Sequence, residues 1–571
     1  MSSAARGRAR RPLGQPLVAV LERRGRFLVG EPLFGHGPRT AVERGGADQG
    51  DLVLIGSGKR GARVIRRLGR PDIARDVLEG LMLDRGLRRS YARSAAAEAD
   101  AAAADPYAAD ARVDLTGLPT LTIDPDDAQD FDDAISARRE ADHIRVWVHI
   151  ADVTAYLRPG GALDGEAYRR ATSVYVPGAV EPMLPEALSN RACSLRPGED
   201  RLAITLELEM RGADVASASF HRSKVRSDKR LTYGEVDEIF AGQARADEPW
   251  AAPLETARDV ARALAGRRDA VEIGTPEPSF DFDREGHVTG VRHEQQTESH
   301  RLIEQLMILA NEQVAGYLAD ARLPALYRVH ERPEPTSVRF LADQLASLDV
   351  PTPPMPEHMT RQEAADLVAE ISRAVAGGRH AHDVLVLRAL MQAFYSPRNL
   401  GHAGLGSTRY CHFTSPIRRY PDVVVHRALL QGLGIDHTAP PAHELDEAGV
   451  HTSAVERAAM KIERDADDVC LAFLLERRLA DADPAAPPAF GGEVVGLVGK
   501  GAFVRFGDEG FEGLLGSRRM RGWWELNELG TALVEERSGR ELRLGADVEV
   551  VVEGVEAPRG RVDLIPAGSY S

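Results

Sequence analysis

The sequence predicts an α+β chain: a large centre of mixed strands and helices, flanked at each end by a small β-barrel. Three observations carry this. Residues 16–69, containing "PLVAVLERRGRFLVGEPLF" and "GDLVLIGSGKRGARVIRRLG", alternate apolar and polar positions between glycine turns. Residues 491–566, containing "GGEVVGLVGKGAFVRFGDEGFEGLL" and "LGADVEVVVEGVEAPRGRVDLI", do the same. Between them, from Val113 to about Leu479, strand-like runs and helical periods follow one another without a break. With 571 residues and 62.0 kDa there is material for several domains.

The elements read as follows in chain order. Residues 1–14 form a basic disordered arm. Residues 15–70 form the first barrel, with Lys59, Arg60, Arg63, Arg66 and Arg67 giving it a basic face whose plain reading is solvation. Residues 71–112 form a partly helical linker, Ala-rich between Ser90 and Asp110. The centre spans 113–481. In it, "HIRVWVHIADVTAYL" (143–157) reads as a buried strand. Leu302, Leu306, Leu309, Val314 and Tyr317 lie near helical spacing and predict an amphipathic helix over 297–320. Residues 453–481 predict another long helix. "ADPAAPPAF" (482–490) is a Pro/Ala linker. Five short strands within 491–566 then suggest an OB-type barrel.

Composition excludes some classes. No apolar run is long enough to span a membrane. The opening "MSSAARGRARRPLGQ" has no apolar segment after its arginines, so it is no secretory signal. Cys193, Cys411 and Cys470 are too few and too widely spaced for a disulfide framework or a cysteine zinc site. They are expected buried, in a reducing cytoplasm. The net charge of −15 speaks only weakly against a nucleic-acid partner, because a basic channel can lie inside an acidic shell.

The densest chemistry lies in "TIDPDDAQDFDDA" (122–134), with six aspartates in thirteen residues. Two unit charges 4 Å apart repel by roughly 4 kcal/mol at an effective dielectric of 20. Such a loop must splay into water, hold protons or hold a multivalent cation. A calcium loop beginning at Asp124 fails, since its fifth, sixth and twelfth positions are Ala128, Gln129 and Ile135. Two readings stay open: an acidic surface loop, or a site for Mg²⁺ or Mn²⁺, which take all-oxygen ligands. Phe131, Ala134 and Ile135 imply partial burial, and buried carboxylates need partners.

A second stretch, "HFTSPIRRYPDVVVHR" (412–427), predicts a helix opened by Ser415-Pro416, with Arg418 and Arg419 in its first turn. A guanidinium at a helix N-terminus suits a phosphate. The competing reading pairs Arg418 with Asp422 one turn on.

"TIDPDDAQDFDDAIS", "VHIADV", "SVYVPGAVEPMLPEALSNRACSLRPGEDRLAIT", "ESHRLIEQLMILANEQVA", "YRVHERPEP" and "HFTSPIRRYPDVVVHR" occur in this order. Over residues 113–480 the chain resembles the RNB catalytic domain of the RNase II / RNase R family. Its ends resemble a cold-shock-like OB barrel and an S1-like OB barrel. The resemblance implies a processive 3′→5′ exoribonuclease that hydrolyses single-stranded RNA to nucleoside 5′-monophosphates with Mg²⁺, Mn²⁺ being possible, and that acts as a monomer. It places the four essential aspartates on Asp124, Asp130, Asp132 and Asp133, as metal ligands. It puts the phosphate-contacting arginine on Arg418, the glutamate of the "ERD" stretch on Glu463, and a base-packing aromatic on Tyr175. Asp126 and Asp127 carry no assigned role.

The chain departs from the family pattern in several places. Room before Val113 suits one barrel, where the family carries two. Ala403 and Cys411 stand where the pattern has phenylalanine and threonine, and Arg332 and Pro333 replace a second base-clamping aromatic. Each lost stack is worth about 1–3 kcal/mol, so an end product a few nucleotides long is expected. The sequence closes on "DLIPAGSYS" without a lysine-rich tail, and stalling on stable duplexes is expected. DNA is expected to be a poor substrate because a 2′-hydroxyl can discriminate. Two alternatives are a catalytically weak RNA-binding protein that keeps the fold, and a metal-dependent phosphatase or endonuclease of another fold.

Overall fold

The computed structural model describes residues 16–567, apart from 36–37, 44–45, 59–60, 109–111, 268–276, 436–437, 481 and 484–486. The basic arm, Lys59 and Arg60 of the expected basic face, and part of the 482–490 linker lie outside the described residues. Strands β1 (Leu17–Arg24), β2 (Phe27–Pro32), β3 (Thr40–Glu43), β4 (Leu52–Gly58) and β5 (Gly61–Gly69) close a barrel in the order β1-β2-β3-β5-β4. Its inward positions, Ala19, Leu21, Val53 and Ile55, form a small core. Gly30 faces that core, where a Cβ would meet Ile55 Cδ1 at 2.3 Å, so any larger residue would push the Ile55 side chain aside. On the outer face Arg63, Arg66 and Arg67 are exposed; Arg66 pairs with Glu79 and Arg67 with Asp51 at 3.0 Å. Helix α1 (Ala74–Asp84) then buries Val77, Leu78, Leu81 and Met82, and α2 (Arg93–Ala104) takes up the alanine-rich stretch.

The centre is built on a seven-stranded sheet. Strands β6 (Val113–Asp114), β7 (Leu121–Asp124), β8 (Asp133–Arg139) and β9 (Ile144–Ala151) come first. Helix α3 (Ala162–Arg170) and the hairpin β10 (Val174–Val176) and β11 (Ala179–Glu181) follow. Strands β12 (Asp200–Arg211), β13 (Asp214–Arg226) and β14 (Lys229–Thr232) complete it, in the order β14-β7-β8-β9-β12-β13-β6. One face presents Ile135, Val146, Val148, Ile150, Ile204 and Leu206 to a large apolar core. That core is covered by α4 (Tyr233–Phe240), α5 (Ala251–Ala265) and, after the hairpin β15 (Glu277–Phe282) and β16 (Val288–Glu294), by α6 (Glu298–Asp320). Leu302, Leu306, Leu309 and Val314 of α6 are buried, as their spacing requires. The other face carries a buried polar ribbon. Thr120 Oγ1 lies 2.8 Å from Ser136 Oγ, Ser136 Oγ 3.1 Å from His149 Nε2, His149 Nδ1 2.8 Å from Thr205 Oγ1, and Thr205 Oγ1 2.6 Å from Ser223 Oγ. Every member thus has a partner, which is what makes polar burial tolerable. Burial pushes the His149 imidazole down to about 3, so it remains neutral.

Strand β17 (Tyr327–Val329), the helices α7 (Pro335–Ser347), α8 (Arg361–Val375) and α9 (His380–Ala389), and β18 (Phe394–Ser396) follow; β17 and β18 pair. Helix α10 (Tyr420–Gly432) is buried along most of its length. Helix α11 runs from Leu445 to Ala480, beginning eight residues before the expected start at 453. Gly449 lies in its interior because a Cβ there would meet Tyr395 O at 2.7 Å. Tertiary closeness overrides the low helix propensity of glycine.

The last barrel comprises β19 (Ala489–Val498), β20 (Gly501–Phe506) and β21 (Phe511–Gly516), which pair in sequence. A three-stranded sheet, β22 (Trp524–Leu526), β23 (Ala532–Glu535) and β24 (Glu541–Arg543), interrupts it before β25 (Asp547–Glu556) and β26 (Arg561–Pro566) complete the closed order β19-β20-β21-β26-β25. One continuous apolar core joins the first barrel, α1, α7 to α9, α11 and the last barrel. Arg559 of the last barrel donates from Nε to Leu33 O at 2.7 Å and from Nη2 to Pro32 O at 3.3 Å in the first. The three cysteines are buried and unpaired. Among the described residues no helix is long and apolar enough to cross a membrane.

Candidate active site

The aspartate loop is tied down from both sides. Arg230, on β14 beside β7, donates to the carbonyls of Pro125 and Asp126, and its guanidinium lies over the Phe131 ring at 5.7 Å. Phe131 is buried; its N–H donates to Ser194 Oγ at 3.0 Å and its carbonyl accepts from Leu195 N–H at 3.0 Å. Apolar anchoring of Phe131 therefore fixes the carboxylates on either side of it. Asp126 and Asp127 face solvent.

The four remaining aspartates fall into two groups. Asp124 ends β7 and Asp133 begins the neighbouring β8. Burial first, and the Asp133 charge second, push the Asp124 carboxyl up; burial also raises Asp133, against Arg418 and Arg419. Asp130 and Asp132 face the arginine segment. Asp132 is 4% exposed; its Oδ1 accepts from Ile417 N–H at 2.8 Å and its Oδ2 lies 3.6 Å from Arg418 Nε. Burial pushes its carboxyl well above the usual range, the Arg418 charge opposing. Asp130 Oδ2 accepts from Tyr175 Oη at 3.1 Å, and burial raises its carboxyl too.

The arginine segment differs from its sequence reading. Helix α10 begins at Tyr420, and Arg419 is its extended N-cap with φ −134° and ψ 122°. Ser415 to Arg419 form the turn before the helix, so neither arginine lies in its first turn. Proline at the start of a helix is the operative signal, and it is Pro421 rather than Pro416. Arg418 does not pair with Asp422. Arg419 does, from Nε at 2.9 Å and Nη2 at 2.8 Å, while the same carboxylate accepts from Ser415 N–H at 2.8 Å. Arg419 thus fastens the turn and leaves Arg418 free of a helical partner. Arg418 donates to Ser415 Oγ at 3.0 Å and is 44% exposed in its side chain.

The turn also brings in β10. Ser173 N–H donates to Arg418 O at 2.9 Å and Tyr420 N–H to Ala171 O at 2.8 Å. This places Tyr175, two residues on, against Asp130 through its hydroxyl and against Glu463 of α11 through its N–H, at 2.9 Å to Oε1. Tyr175 keeps 39% of its surface exposed. Burial raises the Glu463 carboxyl. Segments far apart in sequence therefore meet at one place, and every predicted site residue is among them.

One neighbour had no sequence signal tied to the site. Tyr233 opens α4 behind a Thr232–Glu235 capping box, and its ring stacks on His300 with centroids 3.9 Å apart. Burial and the charges of Asp133 and Asp124 raise its hydroxyl.

The donor set is all oxygen. Asp124 Oδ2 and Asp132 Oδ2 are buried and accept no hydrogen bond, which is costly unless something else binds them. Among the described residues no group of three or more His, Cys, Asp or Glu side chains stands ready-made as a metal cage. Two carboxyl oxygens without a hydrogen bond, one in each group, nevertheless fit hard divalent ions with water completing the shell.

Residues 112–434, more than half of the chain, match the RNB domain family model. Ribonuclease R of Escherichia coli (strain K12) is 35% identical over 475 residues, covering 79% of this chain and 57% of that protein. Ribonuclease R of Aquifex aeolicus (strain VF5) is 36% identical over 467 residues, covering 79% of this chain and 64% of that protein. The chain thus spans less than two thirds of the length of these relatives. Mycoplasma genitalium RNase R, solved in complex with ribose methylated single-stranded RNA, superposes with a TM-score of 0.84 at 22% identity, over 98% of this chain and 90% of that one, and shares the fold. With the family match covering most of its centre, the chain belongs to the RNB domain family.

Proposed function

We propose that the protein is a processive 3′→5′ exoribonuclease that degrades single-stranded RNA to nucleoside 5′-monophosphates, using Mg²⁺ or Mn²⁺. The observation that carries this reading is a pair of buried carboxyl oxygens without a hydrogen bond, Asp124 Oδ2 and Asp132 Oδ2, the second lying 3.6 Å from the part-exposed Arg418 guanidinium. Asp124 and Asp133 would hold one ion; Asp130 and Asp132 would hold a second or orient the attacking water. Bound there, a divalent ion supplies Lewis-acid stabilisation of the phosphate and a more acidic water.

The protein's own groups do the rest. Arg418 presents its guanidinium to the scissile phosphate as charge grows on it. Asp132 turns that guanidinium inward, and the Arg419–Asp422 pair fixes the turn that carries it. Tyr175 packs on a base with its exposed ring while its hydroxyl holds Asp130. Glu463 holds the terminal sugar. The two end barrels guide the strand, the first spanning 15–70 and the last 491–566, around a catalytic domain of 113–481.

The test uses 5′-labelled single-stranded RNA with Mg²⁺, with and without a chelator. A ladder shortening from the 3′ end and abolished by the chelator is expected. Discrete internal cuts would mean an endonuclease, and a mobility shift without products a binding protein; either outcome overturns the proposal.

A further inference from the structure

His412 lies in the turn-bearing segment six residues before Arg418, and nothing so far gives it a task. It is half-buried, between the rings of Tyr395 and Tyr410 at centroid distances of 5.5 and 5.8 Å. Its Nδ1 lies 2.8 Å from Tyr395 Oη. Tyr395 Oη in turn lies 3.3 Å from Glu456 Oε1, and Arg328 Nη1 pairs with Glu456 Oε2 at 2.6 Å. Arg328 also covers the Tyr395 ring at 4.8 Å. Among the described residues His412 Nε2 has no hydrogen-bond partner.

This chain has a direction. Glu456 is the carboxylate partner of the Arg328 ion pair, and a carboxylate only accepts. Tyr395 has a single hydroxyl proton, and giving it to Glu456 satisfies that carboxylate. Tyr395 Oη then accepts, so His412 donates through Nδ1–H. Assigned in this way, the network puts the proton on Nδ1 and leaves Nε2 with a lone pair. Burial and the charges of Arg419, Arg328 and Arg418 keep the ring neutral. A neutral acceptor is an odd group here, since the surrounding guanidiniums only donate. It cannot bind a phosphate, which has no proton to give. It suits a hydroxyl.

We propose that His412 Nε2 accepts a hydrogen bond from a ribose hydroxyl of the bound strand, and that the Arg328–Glu456–Tyr395 chain holds it in the accepting tautomer. His412 is then a specificity residue that favours RNA over DNA, and Tyr395 and Glu456 are positioning residues. This rests on the exoribonuclease reading above.

The experiment compares wild type, His412→Ala, His412→Gln and Tyr395→Phe on oligoribonucleotides carrying one 2′-deoxy sugar at each of the last three positions in turn, or a 3′-deoxy end. For wild type, one of these substitutions should slow degradation about ten-fold, the worth of one hydrogen bond. His412→Ala should slow the all-ribose substrate by about the same factor and leave that deoxy substrate unchanged, so the ribose preference at that position vanishes. Glutamine, whose amide oxygen can accept near the place of Nε2, should restore part of the preference, and Tyr395→Phe should lose part of it. The position that loses its preference names the hydroxyl, 2′ or 3′. Because each preference is a ratio within one variant, a partly folded preparation does not blur it. Equal slowing of ribose and deoxy substrates, or an unchanged preference in His412→Ala, overturns the assignment. A wild type inactive on every oligoribonucleotide overturns the exoribonuclease reading itself, and this one with it.

Discussion

Replacing Asp132 by asparagine should abolish degradation while leaving the fold almost untouched, and the structure says why both halves hold. Asp132 is 4% exposed, with Oδ1 accepting from Ile417 N–H at 2.8 Å and Oδ2 3.6 Å from Arg418 Nε. At an effective dielectric of about 20, unit charges at that separation attract by ~4–5 kcal/mol. Arg418 is 44% exposed, so solvent reduces the net value to about 1 kcal/mol. Against this, the asparagine needs no ionisation in a place where burial disfavours the anion. Its amide oxygen can still accept from Ile417. The two effects oppose, and stability should change by less than about 1 kcal/mol. Alanine at the same position leaves the buried Ile417 N–H without an acceptor and should cost about 1–3 kcal/mol. The cleavage rate should fall about 10³-fold in both variants, on the scale of removing one charge-stabilising group from a reaction centre. The assay pairs thermal melting with single-turnover cleavage and equilibrium RNA binding in Mg²⁺. If Asp132→Asn cleaves within a few-fold of wild type, the residue has no part in the chemistry. If it instead melts far below wild type, its role is structural and the reasoning fails.

Other substitutions separate neighbouring roles. Arg419→Ala should destabilise the protein by about 3–5 kcal/mol, because it strands the fully buried Asp422 carboxylate; Arg418→Ala should melt near wild type and lose activity. Reversed melting results would exchange the two assignments. Asp467, on α11, is raised to about 7 by burial and then by Asp468, Glu463 and Glu277. A carboxyl raised in the folded state favours folding below its unfolded value of about 3.9 and loses that contribution as pH rises towards 7. Urea midpoints should therefore fall between about pH 4 and 7 and level off above, and Asp467→Asn should remove up to about 4 kcal/mol of that fall; an unchanged fall would count against it. Arg559→Ala should cost about 1.5–3 kcal/mol and speed amide exchange in β2, since it removes the guanidinium bonds to Leu33 O and Pro32 O.

Much of this was legible in the sequence, for local reasons. Alternation and glycine turns marked both barrels, and the spacing of Leu302, Leu306 and Leu309 marked α6, because each pattern is written within one element. The aspartate loop announced itself by composition. What stayed hidden depends on distant contacts. Asp124 sides with Asp133, and Asp130 with Asp132, because β7 and β8 are neighbours and the 415–419 turn arrives from almost 300 residues away. Two prolines competed to open α10, and the segment alone does not say that Ser415 N–H would take Asp422 as acceptor. Helix α11 begins earlier than its residues suggest because Gly449 answers to Tyr395 O, a neighbour no local window contains. Tyr233 comes beside Asp124 only because the preceding Thr232, at the end of β14, pairs with Asp124 at the end of β7.

The bridge from Arg559 to the carbonyls of Leu33 and Pro32 has a consequence for biosynthesis. The first barrel leaves the ribosome more than four hundred residues before the surface it rests on exists. It must wait as a separate bead, with the α1 flank of Leu78, Leu81 and Met82 uncovered, until α11 and the last strands emerge. Closure of so long a loop is slow relative to local folding. The newly made chain is therefore most vulnerable to aggregation and proteolysis around its first barrel, and a chain truncated before α11 keeps that exposure for its whole life.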